Sequence, residues 1–205
     1  MHRFIVTGCG TNVGKTIASA ILTTALQGDY WKPIQCGDIE HSDTDVVQKL
    51  ATLKSGRVHP PQYLFKTPVS PHQAAKLEQI VIDPDLLIPP PTQVLIIETV
   101  GGILVPINNL QLTVDLFKQW KGKWIIVSQL YVGGINHTLL TVEALKNRGV
   151  ELHSIIFNGE PNPDSEQAIL YFSKLPCLGR IFPEKKWTRS IVKKYATQWK
   201  KQFQL

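Results

Sequence analysis

Nine residues near the amino terminus, Gly8-Cys9-Gly10-Thr11-Asn12-Val13-Gly14-Lys15-Thr16, have the types and spacing needed to hold a polyphosphate. Backbone N–H groups in such a loop turn inward as an anion nest, and a helix that follows adds positive charge at its start. Lys15 is long enough to reach the outer phosphates, and the Thr16 hydroxyl can complete a magnesium shell. The strict phosphate-loop pattern wants glycine at position 9, where Cys9 stands; the glycines fall at 8 and 10 instead. A fortuitous Gly-Lys-Thr is the alternative. Apolar Phe4-Ile5-Val6 before the loop and a helical pattern after it argue against that. The chemistry expected is nucleoside triphosphate binding, with phosphoryl transfer as its extension.

Phosphoryl transfer also needs a metal and a second electrophilic group. Glu98 ends the apolar run Val94-Leu95-Ile96-Ile97 and precedes Thr99-Val100-Gly101-Gly102. It is either a magnesium ligand at the end of a central strand or an ordinary acid at a turn. Asp43, within Ser42-Asp43-Thr44-Asp45, is either a further magnesium contact or the N-cap of the next helix, and capping is the simpler choice. Lys32, before Pro33, would ordinarily be solvated.

Strand and helix patterns alternate around these residues. Strands are expected over 3–7, 31–34, 94–98, 124–128, 152–157 and 178–181, and helices over 15–26, 44–53, 71–77, 114–121, 135–146, 164–174 and 188–202. Continuous Val/Ile/Leu strands separated by helices predict an α/β fold: a mostly parallel central sheet with helices on both faces, of the P-loop NTPase type. Functional loops then gather at the carboxyl ends of the strands. The proline-rich stretches 57–70 and 83–92 read as loops inside one domain spanning 1–205.

Composition narrows the partners. Three scattered cysteines and six dispersed histidines form neither a disulfide framework nor a zinc spacing. No segment reaches transmembrane length, and no signal-peptide pattern opens the chain, so a cytoplasmic protein without a membrane partner is expected. The net charge of +6 raises nucleic acid, but much of the excess lies in the last helix. There Ile191, Val192, Tyr195, Trp199 and Phe203 recur at helical spacing, which leaves the lysines as a solvated face; no nucleic-acid partner is expected.

Seven segments then combine in order: Gly8-x-Gly10-Thr11-x-Val13-Gly14-Lys15-Thr16, Lys32-Pro33, Ser42-Asp43, Ser70-Pro71-His72, Glu98-x-x-Gly101-Gly102, Ile135-Asn136-His137-x-x-Leu140-Thr141 and Asn158. Together they resemble the dethiobiotin synthase family over nearly the whole chain, to Pro183. The resemblance implies a homodimeric P-loop enzyme that joins 7,8-diaminononanoate to carbon dioxide as a carbamate. ATP phosphorylates that carbamate, and ring closure yields dethiobiotin, ADP and phosphate. By matching position it implies nucleotide contacts at Gly10, Thr11, Asn12, Val13, Gly14, Lys15, Thr16, Ile17, Asn158 and Pro183. Magnesium (Mg2+) would be held by Thr16, Asp43 and Glu98, and Lys15, Lys32 and Thr11 would act in catalysis. Cys36, Gly101 and Gly102 would lie at the carbamate, and Asn136 and Tyr171 would serve the substrate carboxylate, Asn136 across the dimer interface. Two other readings compete: a switch-type ATPase of the same broad class, and a non-catalytic nucleotide-binding module. Many switch-type ATPases carry an early loop lysine, and none occurs between Gly8 and Gly14.

The sequence departs from the family pattern at Cys9-Gly10, Asn12, Cys36 and Thr99-Val100. A thiol at Cys36 donates a hydrogen bond more weakly than a hydroxyl. A β-branched Thr99 resists φ > 0 if its turn requires it. Cys9 and Cys36 both fall on loops near cations, which could lower a thiol pKa; simple space-filling is the alternative.

Overall fold

A computed structural model describes residues 1–54 and 56–203; Ser55, Gln204 and Leu205, the remainder of the span 1–205, lie outside the described residues. The strands are β1 (His2–Gly8), β2 (Asp29–Trp31), β3 (Ile34–Cys36), β4 (Val58–His59), β5 (Tyr63–Phe65), β6 (Val94–Glu98), β7 (Lys123–Gln129), β8 (Glu151–Asn158) and β9 (Cys177–Ile181). The helices are α1 (Lys15–Leu26), α2 (Asp43–Leu50), α3 (Pro71–Leu77), α4 (Thr113–Phe117), α5 (Gly134–Lys146), α6 (Pro163–Ser173) and α7 (Arg189–Lys200).

Seven strands form one parallel sheet in the order β4-β2-β6-β1-β7-β8-β9, and β3 pairs with β5 as a separate parallel ribbon. Alternate side chains of the central strands enter opposite cores. Ile5, Leu95, Ile97, Trp124 and Ile126 face one layer, and Phe4, Val6, Ile96, Ile125 and Val127 face the other. Both faces are thereby buried, which is why these strands read as unbroken apolar runs. The fold class is the expected α/β one.

The elements differ from expectation where backbone chemistry intervenes. The strand expected over 31–34 is divided: β2 stops at Trp31, and β3 leaves the main sheet to pair with β5. Pro33 lies between them and has no N–H to continue a ladder. The stretch 57–70 is not all loop, since it contains β4 and β5; strands of two and three residues are too short to show a period. The helix expected over 114–121 becomes α4 followed by a 3-10 turn, Lys118–Trp120. At the carboxyl end, α7 buries Val192, Tyr195 and Trp199 and leaves Lys193, Lys194 and Lys200 exposed, as its spacing predicts.

Strand register places the polar residues. Val6 of β1 lies beside Glu98 of β6, and Ile97 beside Trp31 of β2. Glu98 and Lys32 therefore emerge together at the carboxyl end of the sheet, next to the loop that leaves β1.

Candidate functional site

The loop from Gly8 to Thr16 joins β1 to α1, and two of its glycines are sterically required. A Cβ on Gly8 would sit 2.4 Å from a Val13 methyl and 3.1 Å from the Val127 carbonyl. Gly14 has φ 97°, and a Cβ there would lie 2.5 Å from Asn158 Nδ2. Asn158 in turn donates to the Val13 carbonyl at 3.0 Å, which ties the end of β8 to the loop.

Lys15 is buried, and its Nζ donates to the Gly10 carbonyl at 2.7 Å. Burial lowers its pKa to about 8; Glu98 and Asp43 oppose that fall and Lys32 adds to it. The Thr16 hydroxyl donates to an Asp43 oxygen and lies 3.0 Å from Glu98 Oε1. Lys32 is buried rather than solvated; its Nζ pairs with Asp43 and lies 3.4 Å from Glu98 Oε1. Burial alone would depress the Lys32 pKa, but Glu98 and Asp43 outweigh it and hold the ammonium above its ordinary value. Burial likewise penalises the Asp43 carboxylate, and Lys32 outweighs that penalty, keeping Asp43 below the usual range.

The alternative role for Asp43 is corrected by the start of α2. Ser42 is the N-cap, in a capping box with Asp45: Asp45 N donates to Ser42 Oγ at 3.2 Å and Ser42 N to Asp45 Oδ2 at 3.0 Å. Capping is thus done by its neighbours, which frees Asp43 to face Thr16 and Lys32. Thr16, Asp43 and Glu98 bring three hard oxygen donors together, with the Lys32 ammonium against the two carboxylates, and this is a donor set suited to magnesium. Among the described residues no cluster of three or more His, Cys, Asp and Glu offers another metal set.

These groups line an open cleft of about 720 Å³. Thr11, Asn12, Gly14, Ile17, Cys36 and Gly101 border it too. Gly101 adopts φ 59°, and Gly102 faces the loop backbone, its Cβ position 3.8 Å from the Cys9 carbonyl. Val13 is buried beneath the loop. Asn136 is exposed in the first turn of α5, and Tyr171 is exposed on α6, where the Lys174 ammonium stands 4.0 Å from its ring centre; neither lines the cleft. Pro183 is exposed beyond the end of β9 and does not line it either.

Two residues escaped sequence reasoning. Tyr30, fully buried, donates to Glu98 Oε2 at 3.0 Å; burial, reinforced by Glu98, pushes its pKa well up, so the phenol stays a donor. Gln35 is buried against the cleft. Tyr30 adjoins Trp31-Lys32 in a short apolar strand, and nothing local marks its hydroxyl.

Residues 2–190 match a protein family described as AAA domain. An ATP-dependent dethiobiotin synthetase BioD from Chlamydia pneumoniae is 44% identical over 201 residues, covering 98% of this chain and 90% of that protein. A protein of the same name from Christiangramia forsetii is 42% identical over 199 residues, covering 97% and 96%. The chain belongs to the dethiobiotin synthetase family. Among solved structures, the Pyrococcus furiosus cell division ATPase MinD shares the fold at 14% identity, with TM-score 0.58 and coverage of 99% and 100%.

The departures from the dethiobiotin synthetase pattern can be judged on this geometry. Asn12 has φ 59°, a conformation asparagine tolerates better than most side chains. Thr99 is not at positive φ; its N–H donates to the Val6 carbonyl at 3.0 Å and its hydroxyl to Thr7 at 3.1 Å. The left-handed position of that turn falls on Gly101 instead. Of the two readings open for Cys36, a thiol pKa lowered by nearby cations is not what the site produces: burial pushes it up to about 11, and Lys32 recovers only part of the shift, in keeping with the space-filling alternative.

Proposed function

We propose that this chain catalyses ATP-dependent carboxylation and ring closure of 7,8-diaminononanoate, giving dethiobiotin, ADP and phosphate in biotin biosynthesis. The observation that carries the reading is the second buried lysine. Lys32 stands between Asp43 and Glu98 beside Thr16, at the phosphate end of a loop that already supplies Lys15. A reaction that brings an anionic carbamate to a triphosphate concentrates negative charge there. Two cations and a nest of N–H groups stabilise that charge as it develops. Family membership supports the same reading, since the relatives from Chlamydia pneumoniae and Christiangramia forsetii are named as ATP-dependent dethiobiotin synthetases.

In this reading the loop backbone from Gly10 to Gly14, with Ile17 beyond it, cradles the phosphates. Lys15 leaves the Gly10 carbonyl to meet them. Asn158, already tied to the loop, and Pro183 stand toward the adenine. Thr16, Asp43 and Glu98 hold magnesium, which neutralises phosphate charge when bound. Lys32, Thr11, Cys36 and the Gly101-Gly102 turn place the carbamate. The substrate supplies its own nucleophiles, first one amine toward carbon dioxide and then the other toward the mixed anhydride. No serine or cysteine nucleophile is then required. The unit spans 1–205 and acts in the cytoplasm as a homodimer. Asn136 and Tyr171, exposed and outside their own chain's cleft, are available to the partner's substrate. Exposed Val132 and Leu140 near Asn136 fit an apolar contact there.

The test is dethiobiotin formation by the purified protein, with each nucleotide, with and without diamine and bicarbonate. The reading requires product only when ATP, diamine and bicarbonate are all present. ATP hydrolysis without diamine supports a switch-type ATPase, and ATP binding without turnover supports a non-catalytic module.

A further inference from the structure

The two carboxylate oxygens of Glu98 have different partners. Oε1 lies 3.0 Å from the Thr16 hydroxyl and 3.4 Å from Lys32 Nζ, and all three residues line the cleft. Oε2 accepts a hydrogen bond from the Tyr30 phenol at 3.0 Å. Tyr30 and Glu98 are both fully buried, and Tyr30 does not line the cleft. The phenol therefore acts on the site through Glu98.

Strand alternation puts the phenol there. Tyr30 of β2 lies beside Ile96 of β6, and Glu98 is two residues further along on the same face. An aromatic side chain spans such a diagonal. The backbone beneath it is held on both sides: β2 pairs with β6 and β4, and Tyr30 N donates to the Arg57 carbonyl at 2.8 Å. The ring belongs to the apolar core that includes Val6, Ile21 and Ile96. Phenylalanine would fill that space without burying a hydroxyl, which is costly unless it is bonded. The bond to Glu98 is what the hydroxyl adds.

We propose that Tyr30 is a positioning residue of the metal site: by holding Oε2 it leaves Glu98 only Oε1 to offer a cation, which favours magnesium over calcium. Magnesium demands near-ideal octahedral geometry and keeps several waters, whereas calcium takes more ligands and readily accepts both oxygens of one carboxylate. With Oε2 already bonded, Glu98 is a one-oxygen ligand. Without the phenol, the carboxylate turns more freely about its terminal torsion. That loosens its hold on magnesium and opens the two-oxygen mode to calcium.

This inference rests on the proposed magnesium set of Thr16, Asp43 and Glu98, and the experiment separates the two. Magnesium or calcium is titrated calorimetrically into wild type and Tyr30→Phe, each in complex with a non-hydrolysable ATP analogue. Analogue affinity in EDTA and melting temperature are measured alongside. Tyr30→Phe should weaken magnesium binding by about tenfold, the lower end for losing a hydrogen bond that orients a metal ligand. Calcium should weaken by no more than about threefold, because the freed oxygen compensates. Metal-free analogue affinity should not change, and melting should fall by no more than a few degrees. Unchanged magnesium affinity, or equal losses for the two ions, overturns the role of Tyr30. So does a joint fall in melting temperature and metal-free affinity, the mark of a merely structural residue. If Tyr30→Phe does not fold, Tyr30→Met makes the same comparison, since it lacks the hydroxyl and adapts to core space. A wild type whose analogue binding does not respond to magnesium refutes the three-residue set itself, and the inference with it.

Discussion

Replacing Lys32 by alanine tests the whole cluster. The side chain of Lys32 is 8% exposed, that of Glu98 0% and that of Asp43 27%, so the three charges interact in a poorly screened setting. At the 3.4 Å separation from Glu98, Coulomb attraction is about 5 kcal/mol for an effective dielectric constant of about 20. Desolvating the lysine offsets part of this in the wild type. Removing the lysine leaves buried Glu98 and half-buried Asp43 with only the more distant Lys15 ammonium to offset them, and breaking a buried pair typically costs about 3–5 kcal/mol. For a chain of this size that corresponds to roughly a 10 °C fall in melting temperature at neutral pH. The sign with pH follows from Asp43. Its pKa is held low in the folded protein, so its contribution is present above its unfolded value and is lost as pH falls through the folded one. Without Lys32 that pKa rises, and the deficit of Lys32→Ala should shrink as the medium is acidified below about pH 4, where carboxylates take up protons. Turnover should drop by about 10²–10³, the scale for one charge stabiliser in a transition state. Calorimetry against pH and a dethiobiotin assay read the two effects. Melting within 2 °C or so of wild type and turnover within about twofold would refute the argument that Lys32 balances Asp43 and Glu98.

Three further outcomes follow from the same geometry. Glu98→Gln should move the half-saturating magnesium concentration for product formation upward, and an unchanged titration removes Glu98 from the proposed metal site. Gly14→Ala should abolish ATP binding while the protein still folds, because its Cβ meets Asn158 at 2.5 Å where φ is 97°; calorimetric titration showing wild-type affinity would contradict this. With its pKa pushed to about 11, Cys36 is thiolate to only about one part in 10³ at pH 8, so iodoacetamide should label it roughly a hundredfold more slowly than an unperturbed thiol. Labelling should accelerate toward pH 11, and rapid modification at pH 8, read by peptide mass mapping, would show the thiol to be less buried than it stands here.

The phosphate loop and the parallel architecture are legible because they are local. Gly8, Gly14, Lys15 and Thr16 act within one turn of chain, and strands buried on both faces announce themselves as apolar runs. The sequence pattern also selects the family, since Lys32-Pro33, Asp43, Glu98 and Gly101-Gly102 recur in order around that loop. What Asp43 and Lys32 do is a different matter. Asp43 beside Ser42 reads as a helix cap until the Ser42–Asp45 box takes that task. Lys32 reads as a surface lysine until register sets β2 beside β6 and brings Glu98, 66 residues away, to its ammonium. Likewise, no local pattern tells that Cys36 is half-buried with a raised pKa, or that Gln35 is buried beside the cleft. The types and spacing of residues determine which groups are available and where each element begins. Burial and long-range pairing decide their charges and partners, because desolvation and Coulomb energies depend on neighbours that chain order does not reveal.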